Sequence, residues 1–311
     1  MGERVVVALG GNALVTGGDE SLAAQRATLE RALEGVTELA LAGRELLLTH
    51  GNGPQVGHAL LRAERARGEA YDLPLEVCVA QSQGEIGLLI ADTLAALLAR
   101  RGARRDVCAV VTRVLVDADD PRMRSPSKPI GPYYDEARAA ELRASGWTIE
   151  DDAGRGFRRR VPSPMPLRVI EAAPIRALFD AGAIVVAGGG GGVPVSDVAG
   201  ELHGVAAVVD KDHTAALLAE LIGARDLLFL TSVPFASLDR GTPRERPIRA
   251  ASVAELERAL SDGHFAPGSM QPKIEAALRF VRGDPGRRAI IADPPATLEA
   301  LAGRAGTVVT A

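Results

Sequence analysis

Lysine is almost missing from this chain. Of its 36 basic residues only Lys128, Lys211 and Lys273 are lysines, and the rest are arginine. A sequence that writes Arg for every generic cation retains Lys where a compact, mobile point charge on a slim stem is needed. Aromatic residues are scarce as well, at 3%, which leaves Ala, Val, Leu and Ile to build the core. Two cysteines, Cys78 and Cys108, are too few for a disulfide framework, and their apolar neighbours suit reduced core residues of a cytosolic protein. No uninterrupted apolar run approaches the roughly 20 residues of a transmembrane helix. A strand-like run begins within a few residues of the N-terminus, so no signal peptide is expected either. A net charge of −4 argues against general electrostatic attraction to nucleic acid. The arginine runs at 100–105 and 158–160 therefore read as solvated faces. The five histidines form no HExxH and no Cys–His metal spacing, so no metal-ligating residues are expected. Ser82, in Gln81-Ser82-Gln83-Gly84, is not a nucleophile elbow.

What is present is an alternation of short apolar runs with amphipathic helical patterns. Arg4–Leu9, Glu45–Thr49, Asp106–Val116, Ala183–Ala187, Asp226–Thr231 and Arg288–Ala292 read as strands. Helical periodicity runs through Ser21–Leu41, from about Pro54, and through Gly84–Arg100, Thr214–Ile222, Val253–Leu260 and Lys273–Val281. Continuous apolar strands between helices imply a mainly parallel sheet covered on both faces, an α/β sandwich of three layers. At 311 residues the chain is expected to be one large two-lobed unit or two domains. Residues 117–166 break the rhythm with seven prolines, one Trp and two adjacent Tyr, which suits a small inserted subdomain. The stretch Ser237–Arg249 reads as an exposed loop or hairpin.

Three strand ends carry glycines: Gly10-Gly11-Asn12, His50-Gly51-Asn52-Gly53-Pro54, and the five consecutive glycines Gly188 to Gly192. Backbone amides at such ends form anion sites, and glycine allows close approach of a ligand. The last run lacks the Lys-Ser/Thr of a P-loop, and no GxGxxG with an acidic partner is present. Each lysine stands in a Gly- or Pro-shaped turn. Lys211 lies between Asp210 and Asp212 at a helix start, Lys273 follows Pro267-Gly268-Ser269-Met270-Gln271-Pro272, and Lys128 sits on a proline-stiffened arm of the insert. Acids at a helix start are ordinary caps, but a lone Lys there calls for a compensating anion. Positioned positive charge of this kind suits phosphoryl transfer.

Taken jointly, ALGGNAL (8–14), THGNGPQVG (49–57), QSQGEIG (81–87), SKPIGPYY (127–134), RRVPSP (159–164), AGGGGGVPV (187–195), VVDKD (208–212) and APGSMQPK (266–273) resemble the carbamate kinases, a branch of the amino acid kinase superfamily. The resemblance runs nearly end to end. It implies a single amino acid kinase-like domain, an open αβα sandwich with a small protruding subdomain at about 117–166. An N-terminal lobe, about 1–200, would take the small acid, and a C-terminal lobe, about 201–311, would take ATP or ADP with Mg2+. A cytoplasmic homodimer with no nucleic acid or membrane partner is implied as well. Carried over residue by residue, Gly10, Gly11, Asn12, Gly51, Asn52, Gly189 and Gly190 would hold carbamate or the phosphoryl group. Lys128 and Lys211 would act on the moving phosphoryl, and Asp210 would orient the lysines. Lys211, Thr231, Ser232, Met270 and Lys273 would meet the nucleotide. The reaction implied is ATP plus carbamate giving ADP plus carbamoyl phosphate, run physiologically towards ATP. Two residues depart from the family pattern: Pro234 stands where an acid is usual, and Met165 where a basic residue is usual. A same-fold kinase for another small acid, and a non-catalytic nucleotide- or metabolite-binding protein, are the rival readings.

Overall fold

The computed structural model describes residues 2–10, 21–152 and 154–311. In chain order it begins with β1 (Arg4–Leu9), α1 (Leu22–Leu41), β2 (Glu45–His50), α2 (Gly53–Arg65), α3 (Leu75–Arg100), β3 (Val107–Ala109) and β4 (Arg113–Val116). The middle holds β5 (Lys128–Tyr134), α4 (Glu136–Ala144), β6 (Ile149–Asp151), β7 (Phe157–Val161), β8 (Pro166–Val169), α5 (Ala172–Asp180), β9 (Ile184–Val186), β10 (Val193–Val198) and β11 (Glu201–Gly204). There follow α6 (Lys211–Ile222), β12 (Asp226–Leu230), β13 (Ser237–Leu238), β14 (Arg246–Pro247), β15 (Ala250–Ser252), α7 (Val253–Ser261), α8 (Met270–Arg282), β16 (Arg288–Ala292), α9 (Thr297–Leu301) and β17 (Thr307–Thr310).

Eight strands form one sheet in the order β15-β17-β16-β12-β1-β2-β9-β3. From β16 to β3 all neighbours are parallel, and β17 runs antiparallel to β16 at the far side. Side chains alternate across this sheet, as strand geometry requires. Val6, Ala8, Phe229 and Ile291 enter a core shared with α6 and α8 through Leu218, Ile222, Ile274 and Leu278. Val5, Val7, Leu48 and Leu230 enter a second core with α1 and α3 through Leu29, Leu33, Ile86 and Ile90. Each of these large side chains is almost fully buried, worth about 1.5–3 kcal/mol apiece relative to exposure. The three-layer αβα sandwich is therefore the one expected, with its central strands apolar on both faces.

Helices α6 and α8 each begin three residues earlier than the sequence reading, at Lys211 and Met270, and two boundaries differ more. The apolar run Asp106–Val116 is not one strand, because the chain leaves the large sheet after Ala109 and enters a second sheet, β11-β10-β4-β8, at Arg113. The crossing is held by Gln83, whose Oε1 accepts from the Thr112 amide (2.8 Å) while its Nε2 donates to the Thr112 carbonyl (3.0 Å). Helix α3 begins at Leu75, not near Gly84, since the polar residues Ser82 and Gln83 face inward and satisfy backbone there. At 26 residues α3 is long and apolar enough to cross a bilayer, which contiguous apolar runs did not suggest, but 56% of that stretch is packed inside the protein.

Strands β5, β7 and β6 make a three-stranded antiparallel sheet within the proline-rich stretch. Helix α4 packs on it through a small core of Ala139, Leu142 and Ile149, edged by Tyr134, Trp147 and Phe157. The segment Ser237–Arg249 contains the hairpin β13-β14. Cys78 and Cys108 are both free thiols, the first buried.

Candidate functional site

Strands β1, β2, β9 and β12 end on the same edge of the large sheet, where ligands bind in open α/β folds. Their ends are tied together: the Gly10 amide donates to the Leu230 carbonyl (2.8 Å), that of Gly51 to Leu9 (3.1 Å) and that of Ala187 to Leu48 (2.9 Å), while that of Thr231 reaches Ala292 of β16 (2.9 Å). Gly11 and Asn12 lie outside the described residues.

The five glycines after β9 are all buried, and close packing explains why no side chain is tolerated. A methyl group on Gly190 would sit 2.1 Å from Asn52 Nδ2, and one on Gly191 would sit 2.4 Å from the Val209 carbonyl oxygen. Both residues also have positive φ, 62° and 91°. The run is pinned by Thr112 Oγ1, which accepts from the Gly188 amide (3.0 Å), and by the Thr214 hydroxyl, which donates to the Gly191 carbonyl (2.7 Å). The Gly189 and Gly190 amides have no acceptor among the described residues. Asn52 donates to Ser82 Oγ (2.8 Å), which fixes its amide against this run.

All three lysines converge at the N-terminus of α6. Asp210 caps the helix, its Oδ1 accepting from the Asp212 amide (2.9 Å). Its Oδ2 takes the Lys128 ammonium at 2.5 Å, reaching across from β5 of the insert. Asp212 bridges the other two, paired with Lys211 through one oxygen and with Lys273 at 3.0 Å through the other. Lys273 also donates to the Ser269 carbonyl (3.3 Å), which anchors it to the start of α8. Burial works against ionisation of both aspartates, yet the adjacent lysines outweigh it and hold both carboxyls below their usual range. Burial lowers the Lys211 ammonium, against the pull of Asp212. For Lys273 burial is overcome by Asp212 and Asp210, so its pKa is raised. Three ammonium groups against two carboxylates leave this knot with one positive charge in excess, at a helix N-terminus.

Asp212 was legible only as a helix cap, and the structure makes it the link between two lysines. His50 is a second residue the sequence did not single out. It is fully buried beside Gly189, with Nδ1 3.0 Å from the Gly51 carbonyl oxygen. Burial lowers its pKa to about 4; the Gly51 carbonyl opposes this and Lys211 adds to it. A folded pKa below the unfolded one means that the unfolded chain takes up the proton first. Stability from neutral His50 is thus complete above pH 6.5 and is lost as pH falls towards 4. Urea unfolding should lose about 3 kcal/mol between pH 7 and pH 4 from this group, and a His50→Gln variant should lack that part of the slope.

Thr231 is half-buried and Ser232 exposed at the end of β12, whereas Met270 is buried in the core with Ile274. Pro234 is exposed, and the adjacent Phe235 ring carries the Arg249 guanidinium at 4.3 Å. Met165 donates its amide to Asp120 Oδ2 (2.9 Å) at the base of the insert. Arg100 and Arg101 are exposed and paired with α1 carboxylates, as a solvated face would be. Arg158, Arg159 and Arg160 are not: they are half-buried, because each is drawn into ion pairs with Asp152, Glu64 or Glu150. Among the described residues no group of three or more His, Cys, Asp or Glu could hold a metal ion.

The amino acid kinase family profile matches residues 3–293. The chain is 45% identical over 320 residues to a carbamate kinase of Pyrococcus horikoshii, with 100% of each covered. In three dimensions it is similar to carbamate kinase from Giardia lamblia bound to citric acid, with a TM-score of 0.94 at 36% identity, covering 99% of this chain and 98% of that one. The same Giardia lamblia enzyme bound to AMP-PNP gives a TM-score of 0.90 at 36% identity, with 99% and 98% covered.

Proposed function

Because this chain belongs to the amino acid kinase family, we propose that it transfers the γ-phosphoryl group of ATP reversibly to carbamate, giving carbamoyl phosphate and ADP. The observation that carries this reading is the convergence of Lys128, Lys211 and Lys273 on Asp210 and Asp212. In-line phosphoryl transfer asks little covalent chemistry of a protein and much positioned positive charge. Lys211, at the helix N-terminus, faces the equatorial oxygens of the moving group, and Lys128 closes on it from the insert. Lys273 serves the nucleotide phosphates. Asp210 orients Lys128 with one oxygen and caps α6 with the other, so the lysine arm and the helix share one anchor.

Gly10, Gly51, Asn52, Gly189 and Gly190 form the wall for the small acid, where the two uncommitted amides of Gly189 and Gly190 can meet an oxyanion. Thr231 and Ser232 lie on the nucleotide side, and buried Met270 offers it only an edge. The carboxylates of Asp210 and Asp212 are already matched by ammonium groups. A Mg2+ would therefore enter on the nucleotide phosphates with its own waters, where it neutralises charge on the transferred group. Two lobes, the small acid on 1–200 and the nucleotide on 201–311, and a homodimer belong to the same reading.

Incubation with ADP and carbamoyl phosphate should form ATP in equal amount to the carbamoyl phosphate consumed, followed by phosphorus NMR. Hydrolysis to free phosphate without ATP would overturn the reading.

A further inference from the structure

Three arginines of the insert crowd one buried carboxylate. Asp152 Oδ2 lies 3.1 Å from Arg155 and 3.5 Å from Arg158, and Oδ1 lies 3.5 Å from Arg160. Glu150 adds a second partner for Arg160 at 3.4 Å. Three guanidinium groups thus share the carboxylates of Asp152 and Glu150.

Arg158 differs from its neighbours in how it is held. Its side chain is only 12% exposed. Nε donates to the Gly131 carbonyl (3.0 Å), Nη1 faces Asp152, and the guanidinium stands 5.1 Å from the centre of the Tyr133 ring. Nη2 has no acceptor among the described residues. That nitrogen faces Gly53: a side-chain carbon there would lie 3.9 Å from it, and equally far from the Pro129 carbonyl oxygen. Gly53 continues the strand-end loop Gly51-Asn52, and Pro129 follows Lys128. The one uncommitted corner of Arg158 thus lies where the acid-binding loop meets the lysine arm. A guanidinium fixed on three sides presents its fourth in a set plane, which suits a planar carboxylate better than a freely turning ammonium would.

We propose that Arg158 binds the acceptor acid, its Nη2 hydrogen-bonded to the carboxylate oxygen that does not attack phosphorus. One carbamate oxygen forms the new P–O bond as the bond from phosphorus to the ADP oxygen breaks. The other stays on Arg158 and remains there as the carbonyl oxygen of carbamoyl phosphate. This assignment rests on the carbamate reading above, and it gives the insert a contact with substrate besides Lys128.

Steady-state kinetics of ATP formation test it, with Arg158→Gln, Arg158→Lys and the tether variant Asp152→Asn, each checked for folding by thermal melting. The KM for carbamoyl phosphate should rise roughly 10- to 100-fold in Arg158→Gln and less in Arg158→Lys, while the KM for ADP stays at the parent value. Asp152→Asn, which loosens Arg158 without removing Nη2, should have a smaller effect on the same constant. Parent turnover with an unchanged carbamoyl phosphate KM in both Arg158 variants would sink the role of Arg158 alone, as would an equal rise in both KM values. No turnover by the parent chain would sink the carbamate reading and this role with it.

Discussion

A Lys211→Ala variant should form ATP from ADP and carbamoyl phosphate about a thousandfold more slowly than the parent, with its melting temperature little changed. The rate loss follows from position. Lys211 is a nearly buried ammonium at the N-terminus of α6, so its field acts on the transferred group in a site where water screens little. Removing one preorganised donor of this kind slows reactions by roughly a hundred- to a thousandfold, and a full charge belongs at the upper end. Fold stability is spared because Asp212 keeps Lys273 at 3.0 Å, so no carboxylate is left unpaired. Lys211→Arg should recover little, since a planar fork cannot occupy the space of a point charge between Asp210 and Asp212. Lys128→Ala should lose about a hundredfold, because its arm approaches from one side only and Lys211 remains. A Lys211→Ala rate within tenfold of the parent would remove Lys211 from the reaction.

The second large effect lies in the glycine run. Gly191→Ala should lower stability by roughly 4 kcal/mol, a fall in melting temperature on the order of 10 °C. Its φ of 91° is strained for any L side chain, and its new methyl group would meet the Val209 carbonyl oxygen at 2.4 Å. That carbonyl belongs to the residue before Asp210, so relief of the clash would shift the helix cap that holds Lys128. Activity should therefore fall together with stability. Gly223→Ala supplies the comparison, with a φ of 66° and no atom within 4 Å of the added methyl group, and should lose only about 1 kcal/mol. Equal melting temperatures for the two variants would mean that the run is held for some reason other than packing.

The lysines were legible because their scarcity made each one informative, but they do not stand in turns as expected: Lys128 begins β5, Lys211 begins α6 and Lys273 lies in the first turn of α8. Their mutual pairing was not legible, since sequence carries no distance between Lys128 and Asp210, 82 positions apart. The central strands could be read from continuous apolar runs. The break after Ala109 could not, because Val110 and Val111 continue the run while Gln83, far off on α3, dictates the change of sheet. The glycine run advertised a backbone demand, but only coordinates reveal that the demand includes the Val209 carbonyl and the Asn52 amide. Arg158 was misread for a related reason: an arginine triplet looks like a surface until a buried Asp152 is found opposite it.

Confining every lysine to one ion-pair knot gives the protein an unusual chemical personality. Among side-chain amines, which elsewhere number in the dozens, acylating, carbamylating or glycating agents find only Lys128, Lys211 and Lys273 here. Their side chains are 22%, 9% and 12% exposed, so Lys128 is the most open of the three to attack. A reagent that usually reports on the outside of a protein thus becomes, for this chain, a probe of whether its site is filled.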